Sequence, residues 1–189
     1  MNLDDYQPKE FYDELIGKGG RPRVASRAVW KYLKGLDENE LGERRAACDL
    51  AALVAGITFR VYFEDTGVDR AMPFDLIPRV IALKEWQGIE AGLKQRVKAL
   101  NRFIDDLYND QEIIRDGVFP AELLANSENF QEQCRGISPP LGIWAHVCGS
   151  DLVRDSDGTM YVLEDNLRIP SGVSYMLENR QVMKRVFPE

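Results

Sequence analysis

The chain has 189 residues, 44% hydrophobic and 29% charged, which excludes a disordered polymer and is long enough to bury a core. Its formal net charge of −7 argues against nucleic acid or an anionic membrane surface as the main partner, yet permits an anionic ligand held through a cation. Three widely spaced cysteines (Cys48, Cys134, Cys148) form no disulfide framework and fit a reducing cytoplasm, and the single histidine, His146, excludes zinc sites built on several histidines.

Met1-Asn-Leu-Asp-Asp5 lacks the basic start of a signal peptide, and no apolar run reaches the length of a membrane span. Tyr6 to Gly20 closes on Gly17-Lys-Gly-Gly20, which reads as a flexible turn, since no strand precedes it and GxxxxGK[ST] is absent. Ser26 is placed to cap a short helix through Leu33. A second helix is predicted from Asp37 or Glu38 to Ala55, with Gly56 as its stop, and Ile57 to Phe63 alternates as a strand before a turn at Glu64–Gly67. Ala71 to Ile81 holds two prolines and is extended. Within it Asp75 and Arg79 are either structural charges or direct substrate contacts.

The strongest periodicity runs from Lys84 to Asn109, with Trp86, Ile89, Leu93, Val97, Leu100, Ile104 and Leu107 on one side. Lys94, Arg96, Lys98 and Arg102 decorate the remaining surface. Pro120 opens a short helix towards Leu124, Asn126 to Arg135 reads as polar helix, and Gly142 to Cys148 reads as a strand. That strand puts His146 on a face with Trp144 and Cys148, either as a packed side chain or as a functional one beside the acidic segment that follows.

Asp151–Arg154 and Thr159–Leu163 carry strand-forming residues around Asp155-Ser-Asp-Gly158, a type I turn sequence. With Arg154 paired to Thr159, Asp151 lies opposite Val162, and the two-residue repeat brings Glu164 and Asn166 to the same face. Three oxygen donors on one face suit magnesium and not zinc. The alternative is a solvated acidic hairpin. Arg168 and the Pro170-Ser-Gly172 loop follow, and Val173 to Phe187 is predicted helical, with its N-terminus available to an anion. The fold class is α+β, helices mixed with a mainly antiparallel sheet. It forms a single unit over residues 1–189, mainly helical to about residue 135, with the hairpin and its helix over 136–189.

Asp151, a hairpin tipped by Asp157-Gly158, and then Glu164-x-Asn166 resemble the metal-binding signature of ATP-grasp ligases. Tyr12-Asp-Glu14, Pro73 to Arg79, Gln95 to Asn101, Gly149 to Arg154, Val162 to Tyr175 and Glu178-Asn-Arg180 are similar to segments of the circularly permuted ATP-grasp proteins related to glutathionylspermidine synthase. The similarity covers nearly the whole chain and implies a partial, circularly permuted ATP-grasp-like architecture. It implies ATP-dependent joining of a carboxylate to an amine through an acyl-phosphate, with ATP as co-substrate and Mg2+ as cofactor.

Carried over by residue, the resemblance makes Asp151, Glu164 and Asn166 magnesium ligands. Arg168 becomes the catalytic arginine at the transferred phosphoryl group, and Ser171 and Gly172 bind substrate. Related ligases often place an arginine two positions before the first metal-binding Asp, whereas this chain has Gly149 there. In the permuted family the nucleotide-clamping strands and lysines follow this signature, and here the chain ends soon after it. The expectation is therefore part of a ligase that a further lobe completes, with self-association when that lobe is missing. The alternative is a noncatalytic binding or scaffold module derived from the same fold.

Overall fold

The computed structural model describes residues 6–8, 10–59 and 70–187. The expected strand end at Arg60–Phe63 and the turn at Glu64–Gly67 lie outside the described residues. The fold is α+β, with helices and, among the described residues, two small two-stranded sheets. The chain divides into two compact units, each assembled from separate stretches.

The first unit takes Met1–Glu85, Leu152–Leu163 and Ser171–Glu189. It holds α1 (Arg27–Gly35), α2 (Glu38–Val54) and the antiparallel pair β1 (Thr58–Phe59) and β2 (Arg70–Ala71), in which Thr58 faces Ala71. Helix α2 starts at a capping box: Glu40 N–H donates to Asp37 Oδ1 (2.8 Å), and Asp37 N–H to Glu40 Oε2 (2.9 Å). Gly56, at φ 71°, takes the left-handed position that stops the helix one residue beyond its cap, Ala55.

The core of this unit is Cys48 from α2, Leu76 from the proline-rich segment, and Val182 and Val186 from the last helix of the chain (Gly172–Val186, called α6 below). Burying each of those Leu and Val side chains contributes roughly 1.5–3 kcal/mol. Phe187 packs alongside, and the Arg44 guanidinium lies 4.9 Å from its ring centroid while donating to the Val186 carbonyl.

Ser26 is fully buried and caps nothing. Its Oγ donates to the Glu14 carbonyl (2.6 Å), which ties the N-terminal loop to the start of α1. The glycine quartet sits in a tight loop closed by an Ile16–Pro22 bridge, with Gly19 and Gly20 at φ 97° and 75°.

The second unit takes Trp86–Asp151 and Glu164–Pro170. Its frame is α3 (Leu83–Tyr108), along which Ile89, Leu93, Val97, Leu100 and Ile104 are half-buried while Lys94, Arg96, Lys98 and Arg102 are exposed. Asp106 carries the chain into α4 (Glu112–Arg115) by accepting from the Glu112 and Ile113 N–H groups (2.9 and 3.0 Å). Pro120 precedes α5 (Ala121–Ala125).

Two predicted elements of this unit do not form. Gly142–Cys148 is a turn and bends, not a strand. The Trp144 and Ala145 N–H groups donate to Asn101 Oδ1 (2.8 and 2.9 Å), the Trp144 indole N–H donates to Asp105 Oδ1 (2.8 Å), and the Trp144 ring stacks on Tyr108. Side chains of α3 thus satisfy the groups that a neighbouring strand would have satisfied.

Asn126–Arg135 keeps only a short turn of 3-10 helix, Glu132–Cys134. Phe130 stacks on Tyr108, whose hydroxyl accepts from Gln131 N–H (3.1 Å), and this anchor replaces the apolar face that a helix would have needed.

Candidate functional site

The hairpin consists of β3 (Gly149–Arg154) and β4 (Met160–Asn166). Its turn closes by Gly158 N–H donating to the Asp155 carbonyl and Asp155 N–H to the Thr159 carbonyl (both 2.9 Å). Closure is therefore between Asp155 and Thr159, not Arg154 and Thr159, because Gly158 enters at φ 94° as the extra bulged residue of a type I turn.

Two side-chain contacts fix the faces in the second unit. Ser150 Oγ donates to Asp165 Oδ1 (2.7 Å), so those two side chains share a side. Asn166 Nδ2 donates to Glu164 Oε1 (2.9 Å). Strand neighbours point to opposite sides, so Asp151, next to Ser150, and Glu164 and Asn166, flanking Asp165, project to the other side together. All three are exposed. Along β4 both Leu163 and Glu164 are exposed, so the simple alternation fails there and the common face arises from a different pairing than Asp151 opposite Val162.

Asp165 is the residue that the sequence reading passed over. Its side chain is only 8% exposed and meets Arg96 Nε at 2.5 Å as well as Ser150. Burial opposes its ionisation, but the hydrogen bonds from Ser150 and Arg96 and the Arg96 charge hold its carboxyl below the usual range. A fixed Asp165 aims Glu164 and Asn166 outward. The signal was available in Glu164-Asp-Asn166, since three consecutive polar residues in a strand cannot all face one way.

The donor set fits a hard cation. The amide spends its N–H on Glu164, which leaves Asn166 Oδ1, the second Glu164 oxygen and the Asp151 carboxylate as oxygen donors. Among the described residues no group of three or more His, Cys, Asp or Glu side chains is placed to hold a metal, so a cation on this hairpin would draw on Asp151 and Glu164 together with other oxygen donors such as the Asn166 amide.

Arg168 is exposed, followed by Ile169 at φ 47° and by Pro170. A Cβ at Gly149 would lie 2.9 Å from Pro170 Cβ. That near-collision gives a steric reason for glycine at this position. Ser171 is the N-cap of α6 without a side-chain capping bond, and Gly172 is the first residue of that helix. His146 is exposed in a bend.

In the first unit, Asp75 and Arg79 line a cavity of about 580 Å³. The same unit contains a cluster around Arg154, whose side chain is 5% exposed. Its guanidinium donates to Glu14 Oε1 (2.9 Å), Glu85 Oε1 (2.6 Å) and the Gly158 carbonyl (2.7 Å), and lies 4.7 Å from the Tyr12 ring centroid.

The family described as circularly permuted ATP-grasp type 2 matches residues 78–189, more than half of the chain and the whole of the hairpin. The chain belongs to that family. An uncharacterized protein of Synechocystis sp. is 47% identical over 189 residues, all of this chain and 39% of the relative. An uncharacterized protein of Mycobacterium leprae is 47% identical over 177 residues, 94% of this chain and 31% of the relative. A putative glutamate–cysteine ligase of Frankia casuarinae is 38% identical over 187 residues, 99% of this chain and 21% of the relative. The chain thus spans about two-fifths or less of the length of these relatives. ATP-grasp proteins generally bind ATP and Mg2+, and this ATP-grasp chain has an all-oxygen donor set on one hairpin. Among its described residues no helix is long and apolar enough to cross a membrane.

Proposed function

We propose that this segment is the metal and substrate side of an ATP-dependent carboxylate–amine ligase. The observation that supports the reading is the exposure of Asp151, Glu164 and Asn166 beside the Ser150–Asp165–Arg96 contacts, from which strand alternation gives the three a common face. Asp151, Glu164 and Asn166 would hold Mg2+. The ion would neutralise nucleotide phosphates while a phosphoryl group moves to the acceptor carboxylate, activating it as an acyl-phosphate for attack by an amine. Arg168, exposed and two residues beyond Asn166, would supply the guanidinium that faces the phosphoryl oxygens. Ser171 and Gly172 would present backbone N–H groups at the start of α6 to an anionic part of the substrate.

The name of the Frankia relative favours an α-amino carboxylate such as glutamate among the substrates, ahead of the glutathione–polyamine chemistry of glutathionylspermidine synthase. Nucleotide clamping would come from further chain of the kind that the longer relatives possess. Exposed Val153, Tyr161 and Leu163 on the hairpin, and Met176 and Leu177 on α6, support a covering partner of that sort. The noncatalytic reading draws on the same partial coverage of the relatives.

The deciding experiment is Glu164→Gln in the full-length ligase context. We expect Mg-ATP turnover to fall by at least about 100-fold, and Mn2+ binding to the 189-residue chain, read by electron paramagnetic resonance, to weaken in parallel. Unchanged ADP release would refute the ligase reading. Clear Mn2+ binding without any turnover would favour the noncatalytic one.

A further inference from the structure

We infer that the cavity at Asp75 and Arg79 binds the free termini of a zwitterionic ligand, an amino acid or short peptide. Calling that ligand a substrate rests on the ligase reading above. The cavity lies wholly in the first unit, and its volume of about 580 Å³ is in the range of small-molecule sites. Its walls include Phe11, Ile77 and Pro78.

Most polar groups on the cavity wall are already committed. Asp13 Oδ1 accepts from the Leu15 and Ile16 N–H groups (2.8 and 2.7 Å), and its Oδ2 accepts from the Tyr6 hydroxyl (2.7 Å). Glu14 is held by Arg154. Asp75, in contrast, accepts among the described residues only from Ile77 N–H (3.0 Å) and is exposed. Arg79 is 79% exposed, its nearest approach to a carboxylate is 4.0 Å (Nε to Glu14 Oε2), and among the described residues it makes no hydrogen bond.

A carboxylate with one backbone hydrogen bond and a guanidinium held only by a loose ion pair to Glu14 therefore line the same cavity. They stand four positions apart, with Pro78 between them stiffening the chain. Asp75 suits an ammonium group, and Arg79 suits a carboxylate taken by two parallel N–H bonds. Phe11, 81% exposed, offers a ring face to the side chain between those termini. A phosphate, or a dicarboxylate that lacks an ammonium group, is disfavoured, because Asp13, Glu14 and Asp75 outnumber Arg79 on the wall.

The test titrates alanyl-phenylalanine, its N-acetyl form and its C-terminal amide into the isotope-labelled 189-residue chain, followed by NMR, with no nucleotide or metal added. We expect saturable shifts at the cavity residues with the free dipeptide, and at least about 10-fold weaker binding of each capped form. Arg79→Gln should abolish the penalty for the amide while keeping that for the acetyl group, and Asp75→Asn should do the reverse. Equal affinity for free and capped peptides, or no saturation up to about 10 mM, overturns the assignment. Both side chains are exposed, and the capped ligands test the unaltered protein, so a misfolded variant leaves the test intact. Because metal is left out, failure here leaves the Glu164 result standing, and failure of Mn2+ binding leaves this result standing.

Discussion

Glu14 and Glu85 in the first unit, and Asp151 and Glu164 in the second, are carboxylate pairs under opposite constraints. The first pair is closed: Arg154, buried and bonded to both acids and to the Gly158 carbonyl, spends its donors inside the protein. The second pair is exposed, and among the described residues Glu164 meets only the amide of Asn166. Their orientation comes from a neighbour, Asp165, which is itself tied down. A charge neutralised within the fold has nothing left for a ligand, whereas one that is oriented but uncommitted does. Holding a neighbour fixed and leaving the donor free is how a binding set keeps both geometry and affinity.

Breaking the closed set should have the largest effect. Arg154→Leu would strip Glu85 of this partner and leave Glu14 only its 4.0 Å contact with Arg79, and we expect a loss of up to roughly 3–5 kcal/mol in urea unfolding. A loss below about 1 kcal/mol would mean that the acids are wet and that the contrast with the open set is false. Gly158→Ala tests the same knot from the backbone. Its φ of 94° disfavours a side chain, and an added Cβ would sit 2.6 Å from the Tyr12 ring. We expect a cost of about 1–3 kcal/mol, measured the same way.

The contrast also explains what could be read from the sequence. Helices α2 and α3 were legible because local signals and packing agree: Asp37 and Glu40 make the capping box, and the apolar stripe from Ile89 to Leu107 faces inward. The exposure of Asp151, Glu164 and Asn166 agrees with the face proposed for them, although the Arg154–Thr159 pairing from which that face follows does not form. Local turn chemistry allows closure at either Arg154 or Asp155, and the bulged Gly158 decides between them.

The closed set was invisible because Glu14, Glu85 and Arg154 are separated by tens of residues, and nothing local marks an acid as buried. The Gly142–Cys148 segment failed for a related reason. Its alternation mimics a strand, but Asn101 and Asp105 on a distant helix take its N–H groups. Side-chain competition of that kind leaves no periodic trace.

In the open set, Glu164→Gln should change unfolding stability by no more than about 0.5 kcal/mol, because an exposed group without a buried partner has little to lose. A destabilisation of several kcal/mol would mean that Glu164 is structural, and the two carboxylate pairs would then cease to differ in kind.

The smallest expected effect concerns a third arrangement, a carboxylate that is exposed and yet committed. Asp157, at the hairpin tip, accepts from Thr159 N–H at 2.7 Å, and this backbone bond holds its carboxyl below the ordinary value of 3.8. A depressed carboxyl favours the folded state once it is ionised, so its contribution is in place above the ordinary value and disappears as the pH falls through the lowered one. The acid limb of stability below about pH 4 should therefore be slightly shallower in Asp157→Asn, with little change at neutral pH. An NMR titration of the Asp157 carboxyl checks the premise directly. A midpoint at or above 3.8 would show that the Thr159 bond does not hold in solution. Exposure alone would then suffice to mark an acid of this hairpin as uncommitted, and the distinction drawn through Asp165 would lose its force.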